Sequence, residues 1–418
     1  MFGARSALAL LAALPLLGCA ERDLTNPDPF TQAKTNDVTM ASPDMVMLGE
    51  HLFFDEALSV NGNQSCASCH DPEWGFTGPD PDINAHGAVY PGSVAELAGN
   101  RKPPSSAYAT LSPVLHYDGS LFIGGNFWDG RATGERLGNP AADQAQGPFV
   151  NPVEQALPDV ATVVSRVCSS DYAGLFTAVW GSDVCVAANV AEAYDAIALS
   201  IAAYEASPAS NAFTSKYDAY LAGEASLTRA ERKGLAVFRG KGKCAKCHVL
   251  GRGRDKEPAL FTDFTFDNLG VPRNPENPWY AMPAAFNPDG ANWIDYGLGA
   301  FLATRPDYAA LAEDFMGQQK VPTLRNVDRR PTATDVKAFG HNGYFKSLEQ
   351  IVHFYNTRDV KPTCANDYTA AEAMSAGCWP APEVADNVNT SELGNLRLSP
   401  DDERAIVAFL KTLSDGYF

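Results

Sequence analysis

A mainly α-helical fold, arranged as two tandem units with long loops, is predicted by three features of the 418-residue chain. A five-residue motif occurs twice, as Cys66-Ala67-Ser68-Cys69-His70 and Cys244-Ala245-Lys246-Cys247-His248. Each copy follows a helical pattern and precedes a loop-rich stretch and a closing helix. Strand-like alternation is scarce. The motif, Cys-x-x-Cys-His, is the attachment signature of a c-type haem. Thiols about one helical turn apart each add to a haem vinyl group, and the adjoining histidine lies under the iron as proximal ligand. A zinc or redox Cys-x-x-Cys that happens to precede a histidine is the alternative; two copies in an exported chain argue against it. The expected fold is therefore two tandem cytochrome c-type haem domains.

The chain opens on a targeting segment. Arg5 precedes an apolar run from Ala7 to Leu17, too short for a membrane span. It ends in Leu16-Leu17-Gly18-Cys19, which resembles a bacterial lipobox. Residues 1–19 are thus expected to be a signal peptide with a lipid anchor at Cys19. A plain signal peptide cleaved nearby is the alternative, and both place the protein outside the cytoplasm. Ala20, where an aspartate would retain a lipoprotein, favours the outer membrane. The expected location is periplasmic or outer-membrane-anchored in a Gram-negative bacterium. Residues 20–41 are polar and rich in Pro, Asn and Thr, a tether.

Ser42-Pro43 starts a helix, with Ser at N-cap, Pro in the first turn, and Met45, Leu48, Leu52 and Phe53 on one side. A Gly/Pro/Asp-rich stretch, mostly loop, follows the first motif to about residue 125. Helical spacing returns from Val190 to Tyr204, with Ile197, Leu199 and Ile201 among many alanines. Thr228-x-x-Glu231 is a capping box opening a helix that carries Leu235, Val237 and Phe238 towards the second motif. Ser399-Pro400-Asp401-Asp402 caps the closing helix, Ala405 to Leu413. The expected units are 42–215 and 216–418, joined near residues 206–226.

With 45% hydrophobic and 20% charged residues the chain is globular and long enough for two domains. The net charge of −18 argues against nucleic acid and an anionic membrane surface. It suits a basic partner protein met by electrostatic steering, and equally keeps an exported protein soluble. Of nine cysteines, four belong to the haem motifs and Cys19 to the lipobox. Cys168–Cys185 and Cys364–Cys378 close short loops and are the simplest disulfide pairing in an oxidising compartment.

Several stretches carry a family resemblance. They are Leu48-Gly49-Glu50-His51-Leu52-Phe53-Phe54-Asp55, Phe127-Trp128-Asp129-Gly130-Arg131, Gln144-Ala145-Gln146-Gly147-Pro148 and Val153-Glu154. Later come Val321-Pro322-Thr323-Leu324-Arg325-Asn326, His341-Asn342-Gly343 and Phe354-Tyr355-Asn356. With these the chain resembles the dihaem bacterial cytochrome c peroxidase and MauG superfamily, leaning to the MauG-like branch.

The resemblance implies unequal haems. The N-terminal one, on Cys66, Cys69 and His70, would bind hydrogen peroxide. The C-terminal one, on Cys244, Cys247 and His248, would be six-coordinate and store or pass electrons. Trp128 matches the tryptophan between the haems; on the residues alone it reads as core. Glu154 matches the distal carboxylate, with Gln144 and Pro148 lining the same pocket. Peroxide heterolysis needs a proton moved from the inner to the outer oxygen, which a partly desolvated glutamate does. Arg101, Arg131 and Arg325 are candidates for pairing haem propionates. His341 is expected beside a haem; His51, His116 and His353 read as structural.

Departures from the family matter. His86 stands in the loop where many peroxidases place a distal histidine, and reads more simply as a solvated loop residue. Lys102 replaces the asparagine of the interhaem calcium site, and Val336-Lys337-Ala338 replaces its Thr-x-Pro. Calcium is therefore not expected, and the Lys102 ammonium stands in for its charge. Tyr355 occupies the usual methionine position and is the expected sixth ligand of the C-terminal haem, with His353 or Met316 as alternatives. The implied activity is a MauG-like oxidoreductase that uses hydrogen peroxide to form high-valent haems and oxidises a partner protein. The alternative is a conventional cytochrome c peroxidase, reducing peroxide with electrons from a small cytochrome or cupredoxin. A plain electron carrier is a third class, disfavoured by Glu154 with Gln144.

Overall fold

Ser42 caps a helix as its pattern predicts: its hydroxyl accepts from the Met45 N–H, Pro43 fixes the first turn, and the helix runs Pro43–Phe54. The computed structural model describes residues 41–250 and 258–418. The expected signal peptide, the Cys19 anchor and nearly all of the tether lie outside the described residues. The Val190 helix extends to Ala206. Thr228 and Glu231 form the reciprocal capping box of the helix Arg229–Arg239, and Ser399 with Asp402 does the same for Pro400–Leu410. Among the described residues strand is confined to two-residue pairs, His116–Tyr117 against Phe122–Ile123 and Phe266–Asp267 against Gln319–Lys320. The chain is mainly α, as expected.

The two haem-motif helices are packed alike. Pro43–Phe54 lies along Val190–Ala206, and Arg229–Arg239 lies along Pro400–Leu410. Each crossing is made at a glycine. A Cβ on Gly49 would stand 1.9 Å from the Ser200 carbonyl oxygen, and one on Gly234 would stand 1.9 Å from that of Ala405. The side chain is absent because the partner backbone occupies its place.

One apolar core gathers Leu48, Phe53, Phe149, Phe176, Ile197 and Tyr204 around the first crossing. Another gathers Tyr217, Phe238, Phe261, Phe345, Phe354 and Phe409 around the second. Full burial of each such side chain is worth about 1.5–3 kcal/mol. The halves also interlock. Leu115 and Phe122 pack with Phe266, Leu298 and Phe315, and Val153 packs with Trp279 and Met282. Both expected disulfides, Cys168–Cys185 and Cys364–Cys378, are present. The stretches read as loop hold short helices, among them Pro81–Ala85 and Gly297–Ala303, too brief for a periodic signal. Among the described residues no helix is long and apolar enough to cross a membrane.

Candidate functional site

Two cavities adjoin the two motifs. Each motif opens in a single 3-10 turn, Cys66–Ser68 or Cys244–Lys246, and the histidine N–H then bonds back to the first cysteine carbonyl at 2.9 Å. This turn sets both thiols and the imidazole on one cavity wall. His70 Nδ1 meets the Phe76 carbonyl at 3.2 Å and His248 Nδ1 meets that of Phe261 at 2.8 Å. The Nδ1–H tautomer is thereby fixed and Nε2 is left for a metal. Burial pushes both imidazoles down to about 4, which keeps them in the neutral, ligating form. None of the four motif cysteines takes part in a disulfide. Two thiols and an axial nitrogen on the wall of an apolar slot fit a c-type haem in each cavity.

The N-terminal cavity measures about 410 Å3 and is lined by Cys66, Cys69, His70, Trp128, Gln144, Pro148 and Glu154. Glu154 follows Val153 in a turn where the Asn151 Nδ2–H donates to Glu154 Oε2 at 2.7 Å. Burial raises the Glu154 carboxyl above its ordinary range, against the opposing pull of Asn151. Glu205 lines the same cavity from the end of the Val190–Ala206 helix. It is 2% exposed, its Oε2 has no hydrogen-bond partner, and burial pushes it up to about 8. The sequence reading missed Glu205. A lone carboxylate following the buried run Ile201-Ala202-Ala203-Tyr204 was the available signal.

The C-terminal cavity is smaller, about 220 Å3, and is lined by Cys244, Cys247, His248, Tyr355 and His341. Tyr355 comes from the helix Leu348–Thr357, whose N-cap Ser347 accepts from the Gln350 N–H. Burial raises its phenol. Neither alternative ligand lines this cavity. His353 Nδ1 bonds Glu403 Oε1 at 3.1 Å, and Met316 packs in the cluster of Phe266 and Phe315.

Trp128 lines both cavities. Its Nε1–H donates to the Lys102 carbonyl at 2.8 Å, and the Lys102 N–H donates to the His341 carbonyl at 2.9 Å. Lys102 Nζ donates to Thr77 Oγ1 at 2.8 Å and to the Pro103 carbonyl at 2.9 Å. Lys337 Nζ likewise donates to the carbonyls of Trp74, Asn326 and Arg329. Two buried lysine amines thus hold oxygens where the family's calcium site has its asparagine and Thr-x-Pro, and burial lowers both, Lys102 to about 7.

Each of the three arginines has a carboxylate partner within the protein. Arg101 is spent on Asp295, bidentately at 2.6 Å, and on Asp129 at 2.6 Å. Arg325 is fully buried against Asp218, at 2.7 and 2.9 Å, and the Ala259 carbonyl. In both, a protein carboxylate supplies the fixed counter-charge that a buried guanidinium needs, and each arginine lines a cavity, Arg101 the N-terminal one and Arg325 the C-terminal one. Arg131 pairs with Asp129 at 2.7 Å, stays 45% exposed and also lines the N-terminal cavity. His86 lines neither cavity; its side chain is 62% exposed, as a solvated loop residue should be. His341 is buried, with its Nε2 3.9 Å from carboxylate oxygens of Asp295 and Glu383. His51 stacks on Tyr172 and His116 bonds the Val114 carbonyl, both structural.

Comparison with known proteins agrees with this geometry. Residues 43–226 match the family model for di-haem cytochrome c peroxidase. The chain is 37% identical to methylamine utilization protein MauG of Paracoccus denitrificans, over 98% of this chain and 94% of that one. It is 31% identical to cytochrome c551 peroxidase of Nitrosomonas europaea, over 75% and 73% of the two chains. The diheme peroxidase BthA of Burkholderia thailandensis superposes with a TM-score of 0.71 at 30% identity, covering 90% of this chain and 86% of BthA. The chain belongs to the dihaem cytochrome c peroxidase and MauG family of hydrogen peroxide-dependent oxidoreductases.

Proposed function

We propose that the protein is a MauG-like enzyme of the periplasm or outer membrane that reduces hydrogen peroxide and oxidises side chains of a partner protein. Two haems, each attached through its cysteine pair, would sit in two cytochrome c-type domains, 42–215 and 216–418. When bound, they supply the iron that takes up peroxide and the conjugated system that carries charge. The chain's own residues do the rest. Glu154 receives a proton from the inner peroxide oxygen and returns it to the outer one; Asn151 holds Oε2, so Oε1 carries the proton. Gln144 and Pro148 border the same space and orient the substrate. Trp128, held by its N–H, passes charge between the cavities. Lys102, whose carbonyl holds the Trp128 N–H, takes the calcium-site position with its own Nζ donors, and supplies positive charge there when protonated, burial pushing its amine down to about 7.

The observation that carries the MauG-like reading is Tyr355 on the wall of the C-terminal cavity with His248. A phenolate is a hard anionic donor that lowers the iron potential, whereas a methionine thioether raises it. A low-potential centre is a poor acceptor from a small cytochrome and a good store for an oxidising equivalent. The similarity to cytochrome c551 peroxidase supports the second reading, a conventional peroxidase. Peroxide turnover assayed with and without a reduced small cytochrome decides between them: stimulation by the cytochrome would favour the second.

A further inference from the structure

The two equivalent segments of the repeat carry opposite charge. From the first helix to the first motif histidine, residues 43–70 hold four carboxylates and no lysine or arginine. Residues 229–248, the matching stretch of the second half, hold seven lysines and arginines and one glutamate. A chain of net charge −18 thus gathers positive charge at one place. All seven cationic side chains are exposed. The helix Arg229–Arg239 turns Gly234, Leu235 and Phe238 inwards and leaves Arg229, Arg232, Lys233 and Arg239 outside. Lys233 and Lys241 converge on one carboxylate, Asp402, at 2.9 and 3.2 Å. Lys243 donates to the Ser391 carbonyl at 2.7 Å, and Lys246 pairs with Glu392 at 3.0 Å. Arg232 and Arg239 bond uncharged oxygens, the Leu227 carbonyl and the Tyr217 hydroxyl. The segment's own Glu231 is held by Lys216 at 2.8 Å, and the nearby Asp401 and Glu403 by Arg404 and His353. Carboxylates are therefore too few to neutralise these cations. Exposed ion pairs of this kind are worth ~0–1 kcal/mol, and each ammonium keeps donors for a further partner. The cations surround the second motif: Cys244 and Cys247 lie half-buried among them, and Lys243 lines the C-terminal cavity.

We propose that this basic face beside the C-terminal cavity is the docking surface for an acidic partner protein. The proposal rests on the reading that a partner protein exchanges electrons with the haems. Net charge alone would favour a basic partner, but at contact the local field governs. At physiological salt the Debye length is about 8 Å, so a docked protein feels the cations beneath it and little of the distant carboxylates. Complementary charge of this kind raises association rates by roughly 10–10³-fold. A membrane surface is the other anionic candidate. Residues 229–248 expose no large apolar side chain for insertion, and Asp402 and Glu392 within the patch suit a protein that offers a few cations in return.

The test uses the haem-loaded protein, reduced and then mixed by stopped flow with ferric cytochrome c as the electron acceptor. Two forms of one small basic cytochrome are compared: native, and succinylated so that its lysines carry carboxylates. Arg239→Glu with Lys241→Glu reverses two exposed charges that line neither cavity. The succinylated acceptor should react faster at low salt than at high salt, and roughly tenfold more slowly with this variant. The native acceptor should not be slowed by it. Arg239→Gln with Lys241→Gln should give an intermediate effect, and it replaces the first variant where charge reversal impairs folding. A succinylated rate that rises with salt, or that neither variant lowers, would overturn the docking surface. Vesicles of anionic phospholipid that bind the wild type and not the variants would make the patch a membrane contact and overturn it as well. The response of the haem spectrum to hydrogen peroxide is followed separately. Indifference to peroxide would remove the function proposed above and leave the docking result standing.

Discussion

The two haem cavities share a proximal side and differ on the distal side. In each, a Cys-x-x-Cys-His turn presents the imidazole with Nδ1 tied to a phenylalanine carbonyl. Opposite that common wall, the N-terminal cavity has about 410 Å3 and carries the carboxyls of Glu154, half-buried, and Glu205, buried. The tyrosines on its wall are committed elsewhere: Tyr90 donates to the Asp80 carbonyl and Tyr108 to Asp415 Oδ2. The C-terminal cavity has about 220 Å3 and contains Tyr355. A repeated motif builds two equivalent iron sites, and segments far from the motif decide which one stays open to substrate. On the function proposed above, room and a proton carrier make the N-terminal site the reactive one, and the Tyr355 phenol makes the other the store.

The largest expected effect comes from deleting the reactive side. Cys66→Ala with Cys69→Ala should remove one haem and all reaction with peroxide, while the C-terminal haem spectrum remains. Peroxide turnover in that variant, measured by stopped flow, would reverse the roles of the cavities. Next, Glu154→Gln should keep both haems and slow the reaction with peroxide by roughly 10²–10⁴-fold, as for other acid–base groups. Its pH profile carries the sign. Burial raises the Glu154 carboxyl, and the ionised form accepts the proton, so the rate should fall as pH drops through that raised value. In Glu154→Gln the acid limb should vanish.

On the store side, Tyr355→Phe should leave peroxide binding at the first haem intact and abolish the sharing of oxidising equivalents between the haems. Unchanged near-infrared spectra after peroxide would make Tyr355 a packing residue. The smallest effect concerns the scaffold common to both halves. Gly49→Ala and Gly234→Ala should each destabilise by about 1–3 kcal/mol, since the added methyl meets a helix carbonyl. Gly174→Ala, facing open space in the helix Ala173–Trp180, should not lower Tm. Equal melting curves for all three would contradict the close crossings.

The proximal side was legible because it is local: the motif, the caps at Ser42, Thr228 and Ser399, and the helix patterns lie within a few residues of one another. The distal side came from the family resemblance, since Glu154 stands 84 residues after His70 and Tyr355 stands 107 after His248, and neither shares a local pattern with its histidine. The carboxylate partners of Arg101 and Arg325 were not legible because an arginine's partner is set by tertiary contact; Asp295 and Asp218 are distant in sequence. Glu205 was missed because it reads as an ordinary helix residue until a cavity is found beside it.

The most direct measurement is the electron paramagnetic resonance spectrum of the oxidised, haem-loaded protein, taken with its near-infrared absorption. One high-spin haem and one low-spin haem without the near-infrared band of His/Met ligation are predicted, the first from the open N-terminal cavity and the second from His248 with Tyr355. Two low-spin haems, or a His/Met band on the C-terminal one, would contradict the division into a reactive and a storing site.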